Sequence, residues 1–244
     1  MAKIAIVRTA ETTPGSGYPA PASTFEGRAQ GRMLSLPDNP LWLIAARVGP
    51  GSALRWSSAH GEEAVYLKSG SMTVDGGESP SGGVVVVEAG ARLEITFPEE
   101  AELVHVGRTP AAGLDAPLPD GDGGHGHHLI GPAGALTRDD GIHMSRVFAD
   151  ARCPTCSVSL HWSSHTGKYR SSLHSHSQDE LIHVLRGNTF LGHRRVGPRR
   201  HPGRPGQHPV QLRERRRRVR LLELLARPLG LHQGPDRATR TLKV

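Results

Sequence analysis

The stretch His174-Ser175-His176-Ser177-Gln178-Asp179-Glu180, running on as Leu181-Ile182-His183-Val184-Leu185-Arg186-Gly187, decides how this chain is read. Side chains on an extended strand alternate between faces, so His174, His176 and Glu180 share a parity and point the same way. Two imidazoles and one carboxylate can then converge on a single cation. Ile182 and Val184 keep that parity and are apolar, so the ligand face is also the one expected to face a barrel interior. His183 turns outward.

A chain of 244 residues holds one large or two small domains and can bury a real core. Its 30 Gly and 19 Pro, with few long helical periodicities, favour short strands and turns, which makes the expected class all-β. The opening MAKIAIVRTAETTPG has no apolar run of signal-peptide length, and no segment approaches the roughly 20 apolar residues of a membrane helix. The expected location is cytoplasmic, with no membrane partner. The net charge of +7 is unevenly placed. From Gly197 onward 13 Lys and Arg face 3 acids, a net of +10, whereas the first 196 residues carry 17 basic and 20 acidic groups, a net of −3. Any nucleic-acid argument from charge therefore rests on the last fifth of the chain.

Strand-like runs recur at 41–48, 63–67, 71–74, 84–88, 92–97 and 101–106, separated by turn-formers such as Gly49-Pro50-Gly51, Gly76-Gly77 and Gly82-Gly83. Residues 109–134, dominated by Pro, Gly, Ala and Asp, read as a linker or long loop. Strand signals resume at 145–148, 157–162 and 181–185. The two halves also repeat each other. Glu63 to Gly70 and Glu180 to Gly187 have the same length, with apolar residues at matching places. Counting back from Glu63 by the offsets that join Glu180 to the two His gives Ala59 and Ser57, neither a useful ligand, and His60 has the opposite parity. The first half is expected to be a structural or small-molecule-binding unit without a metal.

The pattern Gly167-x6-His174-x-His176-x3-Glu180-x6-Gly187 resembles the first motif of the cupin superfamily, and the repeat resembles a two-domain bicupin. That resemblance implies double-stranded β-helix (jelly-roll) barrels, two in tandem. It also implies a divalent transition metal (Fe, Mn, Ni, Cu or Zn) held by His174, His176 and Glu180, with a further His from a second motif. Here the sequence departs from the family. In the first half Leu93 stands where that second-motif His belongs, and in the second half nothing after Val196 matches. The chain ends instead in an Arg-rich tail, 197–244, with no aromatic, Ile, Met, Ser or Asn. The expected organisation is a degenerate cupin domain at 1–108, the linker at 109–134, a second cupin domain at 135–196 left incomplete, and a tail that is disordered or out of frame.

An out-of-frame tail is a specific hypothesis: its GC-rich codons, read one base later, can spell a β-rich stretch with aromatics at alternating places. The fourth ligand position would then be limited to Phe, Ser, Tyr or Cys. The three remaining ligands match the two-His-one-carboxylate arrangement of non-haem iron sites.

Other residues carry weaker signals. Cys153-Pro154-Thr155-Cys156 has C-x-x-C spacing, open to a turn, a reversible disulfide or half a zinc site. The cluster Gly123 to His128 reads as a surface loop in preference to a metal site, because nothing there fixes a geometry. His161, His165 and His193 read as surface or hydrogen-bonded side chains. Arg213 to Arg220 could contact phosphates, but no aromatic lies near to stack bases. The adjoining 219–227 reads as a short amphipathic helix.

These readings lead to a cupin metal-binding protein whose chemistry is oxygen-dependent or isomerising, with a metal-dependent dioxygenase acting on a small organic acid or phenolic compound as the first expectation and an isomerase as its enzymatic alternative. A non-catalytic ligand-binding or sensor cupin is the second. Nucleic-acid binding through the tail is third. A small molecule is the expected partner, with a homodimer as the expected assembly.

Overall fold

The computed structural model describes residues 15–19, 21–35, 41–108, 126–132, 136–150, 156, 158–166, 180–187, 189–191, 194–196 and 218–226. The described elements are all strands. The first unit comprises β1 (Gly15–Ser16), β2 (Ser23–Glu26), β3 (Ala29–Ser35), β4 (Leu41–Val48), β5 (Ser52–Trp56), β6 (Glu63–Ser69), β7 (Ser71–Val74), β8 (Gly77–Pro80), β9 (Val84–Val87), β10 (Leu93–Phe97), β11 (Ala101–Arg108) and β12 (His127–Ile130). They form a seven-stranded sheet, β1-β3-β4-β11-β6-β9-β12, and a five-stranded sheet, β2-β5-β10-β7-β8. The second unit comprises β13 (Leu136–Asp139), β14 (His143–Ala149), β15 (Val158–Thr166), β16 (Glu180–Arg186), β17 (Thr189–Leu191), β18 (Arg194–Val196) and β19 (Arg218–Ala226). Its sheets are β13-β14-β15-β19-β16 and the pair β17-β18.

Continuous apolar runs in the first half have a physical reason. The seven-stranded sheet is buried on both faces, so both parities of its central strands are apolar. On β4, Trp42, Ile44, Ala46 and Val48 enter the interior of the first barrel, while Leu41 and Leu43 face the other way. On β9, Val85 and Val87 point inward and Val84 and Val86 outward. The outward set packs against Phe148, Ala149, Val158, Leu160 and Trp162 of the second unit, so one hydrophobic core joins the halves. The Glu62 carboxylate adds a buried tie, its Oε1 accepting from the Val158 amide at 3.3 Å.

The internal repeat extends to the backbone. β6 and β16 each begin at the matched glutamate and stop at a glycine with positive φ, 86° at Gly70 and 88° at Gly187. β11 lies between β4 and β6, and β19 lies between β15 and β16. The registers correspond too. Glu63 is opposite Gly107 and Glu180 opposite Leu225, with a bulge near the far end of each pairing.

Three expectations need correction. The 109–134 linker contains β12, which pairs with β9 at the sheet edge. The His-rich cluster reaches into that strand, where His127 Nε2 lies 3.3 Å from Asp75 Oδ2. The tail is not helical at 219–226: β19 is a central strand, paired along its length with β15. A strand with a sheet edge on each side satisfies its backbone hydrogen bonds there, which outweighs a weak helical period. The second unit therefore draws on residues beyond 196. The remainder of the tail lies outside the described residues.

Candidate functional site

In the second unit Glu180 is the first residue of β16 and is half-buried, on the strand face it shares with Ile182 and Val184. His174 and His176 lie outside the described residues, as do Cys153 and His193. Among the described residues no three His, Cys, Asp or Glu side chains come together as a cation site. β15 runs through the same sheet and carries His161 near its middle and His165 next to its last residue. His165 is buried and stacks on His143 of β14, with ring centroids 4.5 Å apart and 16° between planes. Leu181, His183 and Leu185 take the other face of β16, and both leucines pack against the shared core. Burial, and then the charge on Lys68, lower the His183 pKa to about 4. His183 does turn away from the ligand face, but towards the core between the two units and not towards water. Cys156 is buried in that same core.

The first barrel holds a buried polar network where the repeat places its carboxylate. Glu63 Oε2 accepts from Trp56 Nε1 at 2.6 Å and from His105 Nε2 at 2.7 Å. His105 Nδ1 accepts from the Tyr18 hydroxyl at 2.9 Å. A neutral imidazole protonated on Nε2 satisfies all three bonds. Burial, and then the charge on Glu63, hold the Tyr18 phenol well above its ordinary pKa. The rings of Trp42 and Trp56 stand nearly perpendicular to the His105 ring, with centroids 4.9 and 5.5 Å from its own. Leu93, standing at the second-motif His position, is part of the apolar interior, as is Leu67. His60 is tied elsewhere, its ring nitrogens 2.6 Å from the Gly61 carbonyl and 2.7 Å from the Ala91 carbonyl.

Sequence reasoning reached Glu63 through the repeat but missed Tyr18, Trp56 and His105 as its partners. One signal was available: His105 is the single imidazole in the apolar strand Ala101–Arg108, at a position of inward parity.

No protein-family model matches the chain, and no curated protein sequence matches it. Solved structures do. Oxalate decarboxylase from Lactobacillus farciminis, in complex with formate, superposes with a TM-score of 0.58 at 12% identity, over 89% of this chain and 90% of that one. A glyoxylate-induced protein from Pseudomonas aeruginosa gives 0.57 at 14% identity, over 93% and 88%. Oxalate decarboxylase from Bacillus subtilis, described with Mn(II) centres, gives 0.58 at 13% identity, over 89% and 76%. The chain has the cupin fold. At these identities the likeness is one of fold, an all-β jelly roll. The two units of this chain place Glu63 and Glu180 at corresponding strand starts.

Proposed function

We propose that the second unit binds one divalent transition ion through His174, His176 and Glu180, and that the protein is a metal-dependent cupin acting on a small organic molecule. The observation that carries this reading is the correspondence of β16 with β6. Glu180 opens its strand as Glu63 does, and the Glu63 carboxylate lies inside its barrel. The Mn(II) centres of the Bacillus subtilis oxalate decarboxylase, which has the same fold, support it further. The donor set suits iron, manganese, nickel, copper or zinc: two neutral imidazoles and a carboxylate that offsets part of the ionic charge. When bound, such an ion supplies Lewis acidity that polarises a substrate or a water. Glu180 begins β16 on the face it shares with Ile182 and Val184, so those two side chains would wall the site. The finer reading is a dioxygenase acting on a small organic acid or phenolic compound, in a cytoplasmic protein. Here the site residues hold the ion and leave positions open for the substrate.

The second reading is a sensor or ligand-binding cupin without turnover, favoured by the first barrel, whose matched position is filled by side chains. Metal analysis with oxygen uptake separates the two. A stoichiometric redox metal, lost together with substrate-dependent oxygen consumption in His176→Ala, supports the enzyme. Bound metal without oxygen consumption across a panel of small acids and phenols supports the sensor, and absence of metal overturns both metal readings. Nucleic-acid binding by the tail is disfavoured because Arg218 and Arg220 belong to a central strand. A steep salt dependence of DNA binding that is abolished on deleting 213–220 would restore it.

A further inference from the structure

Residues 15–19 lie across the first barrel as a strap, and Tyr18 is held there the way a bound molecule is held. Its ring lies parallel to Phe25, 4.8 Å between centroids and 12° between planes. Its hydroxyl donates to His105 Nδ1. Among the described residues β1, two residues long, pairs with β3 alone, and Gly17 adds one backbone bond to the Ala29 carbonyl at 3.2 Å. Gly17 has φ of 112° with open space beside its Cα, while Pro19 sits against Gly31.

The receiving surface has a defined chemistry. In the neutral imidazole that places its proton on Nε2 towards Glu63, His105 Nδ1 is an acceptor. An occupant must therefore donate. Glu63 stands behind the imidazole as a buried negative charge, so a carboxylate or other anion is repelled. The Phe25 face selects a flat ring. A neutral aromatic bearing one hydroxyl meets all three conditions, and an aliphatic alcohol or an organic acid does not.

We propose that the first barrel contains a slot for a small phenol, occupied by the chain's own Tyr18, and that an external phenol enters by displacing this side chain from His105. The slot is independent of the metal reading of the second unit. Tyr18 acts as an internal competitor, since a tethered ring is present at a high effective concentration.

The test uses the full-length chain, with p-cresol, the phenolic part of tyrosine, as the probe. Binding is followed by the fluorescence of Trp42 and Trp56. In Tyr18→Gly, p-cresol should bind saturably and about tenfold or more tighter than in the native chain. Toluene, equal in shape but lacking the hydroxyl, should bind about tenfold more weakly than p-cresol. Equal binding of the two probes, or no saturable binding to a Tyr18→Gly protein that melts cooperatively, would overturn the proposal. If that variant does not fold, Tyr18→Phe replaces it. This change keeps the stack and removes the bond to His105, so p-cresol affinity should rise several-fold over the native chain. An unchanged affinity would overturn the proposal equally.

Discussion

Gly107 faces Trp42 on one neighbouring strand and Glu63 on the other, and a Cβ built there would lie 2.2 Å from Trp42 Cζ2. The indole occupies the space a side chain would need, and it is one of the walls around His105. Gly107→Ala is expected to lower stability by about 1–3 kcal/mol, the usual cost of overpacking a fitted core, as read from denaturant midpoints. His183 provides a pH-dependent prediction. Its pKa is about 4 in the folded chain against 6.5 unperturbed, so between those values the unfolded chain takes up the extra proton. Stability is complete above about pH 6.5 and falls as pH drops towards 4. His183→Leu should flatten that part of the stability profile, and an unchanged slope would show that His183 is not its source.

At the level of elements, the strands most legible in the sequence are those buried on both faces. Leu41–Val48, Val84–Val87 and Ala101–Arg108 are rich in apolar residues of both parities, and no reading other than strand fits their length. β2 and β3, Ser-Thr-Phe-Glu and Ala-Gln-Gly-Arg-Met-Leu-Ser, are polar and half-exposed, so their pattern carries little information. β12 was hidden at the end of a Gly- and Pro-rich stretch. β19 was misread because Val219-Arg220-Leu221-Leu222-Glu223-Leu224-Leu225-Ala226 suits a helical period as well as a strand, and only its two neighbours decide. The proposed cation site rests on ligand spacing alone, since His174 and His176 lie outside the described residues, and the network around Glu63 was not legible, because Tyr18, Trp56 and His105 come together from three separate segments. The place of β19 leads to a prediction. Deleting 218–226 leaves β15 and β16 with unpaired edges, and light scattering should report aggregation of the truncated chain. A soluble, cooperatively melting truncation would show that β19 is dispensable. The gene's nucleotide sequence bears on the same strand: a single-base insertion or deletion near codon 197 that restores a β-rich frame would replace it with another.

For the molecule as a whole, the outer face of the seven-stranded sheet is the floor on which the second unit is built. Leu160 is fully buried there among residues of both halves, and Glu62 reaches across to Val158. Leu160→Ala should cost about 2–5 kcal/mol through lost contacts and the cavity left behind. It should lower the melting of both units together if their core is shared, and separate transitions would show that they fold independently. On the proposed reading one chain divides two tasks: a first barrel with a hydrogen-bonded interior, and a second unit that binds a cation through His174, His176 and Glu180. The measurement that tests this division most directly is the metal content of purified native protein beside Glu180→Gln, after equal exposure to iron, manganese and zinc. About one tightly held ion per native chain and almost none in the variant is the predicted result, whereas equal metal in both proteins, or none in the native chain, would contradict it.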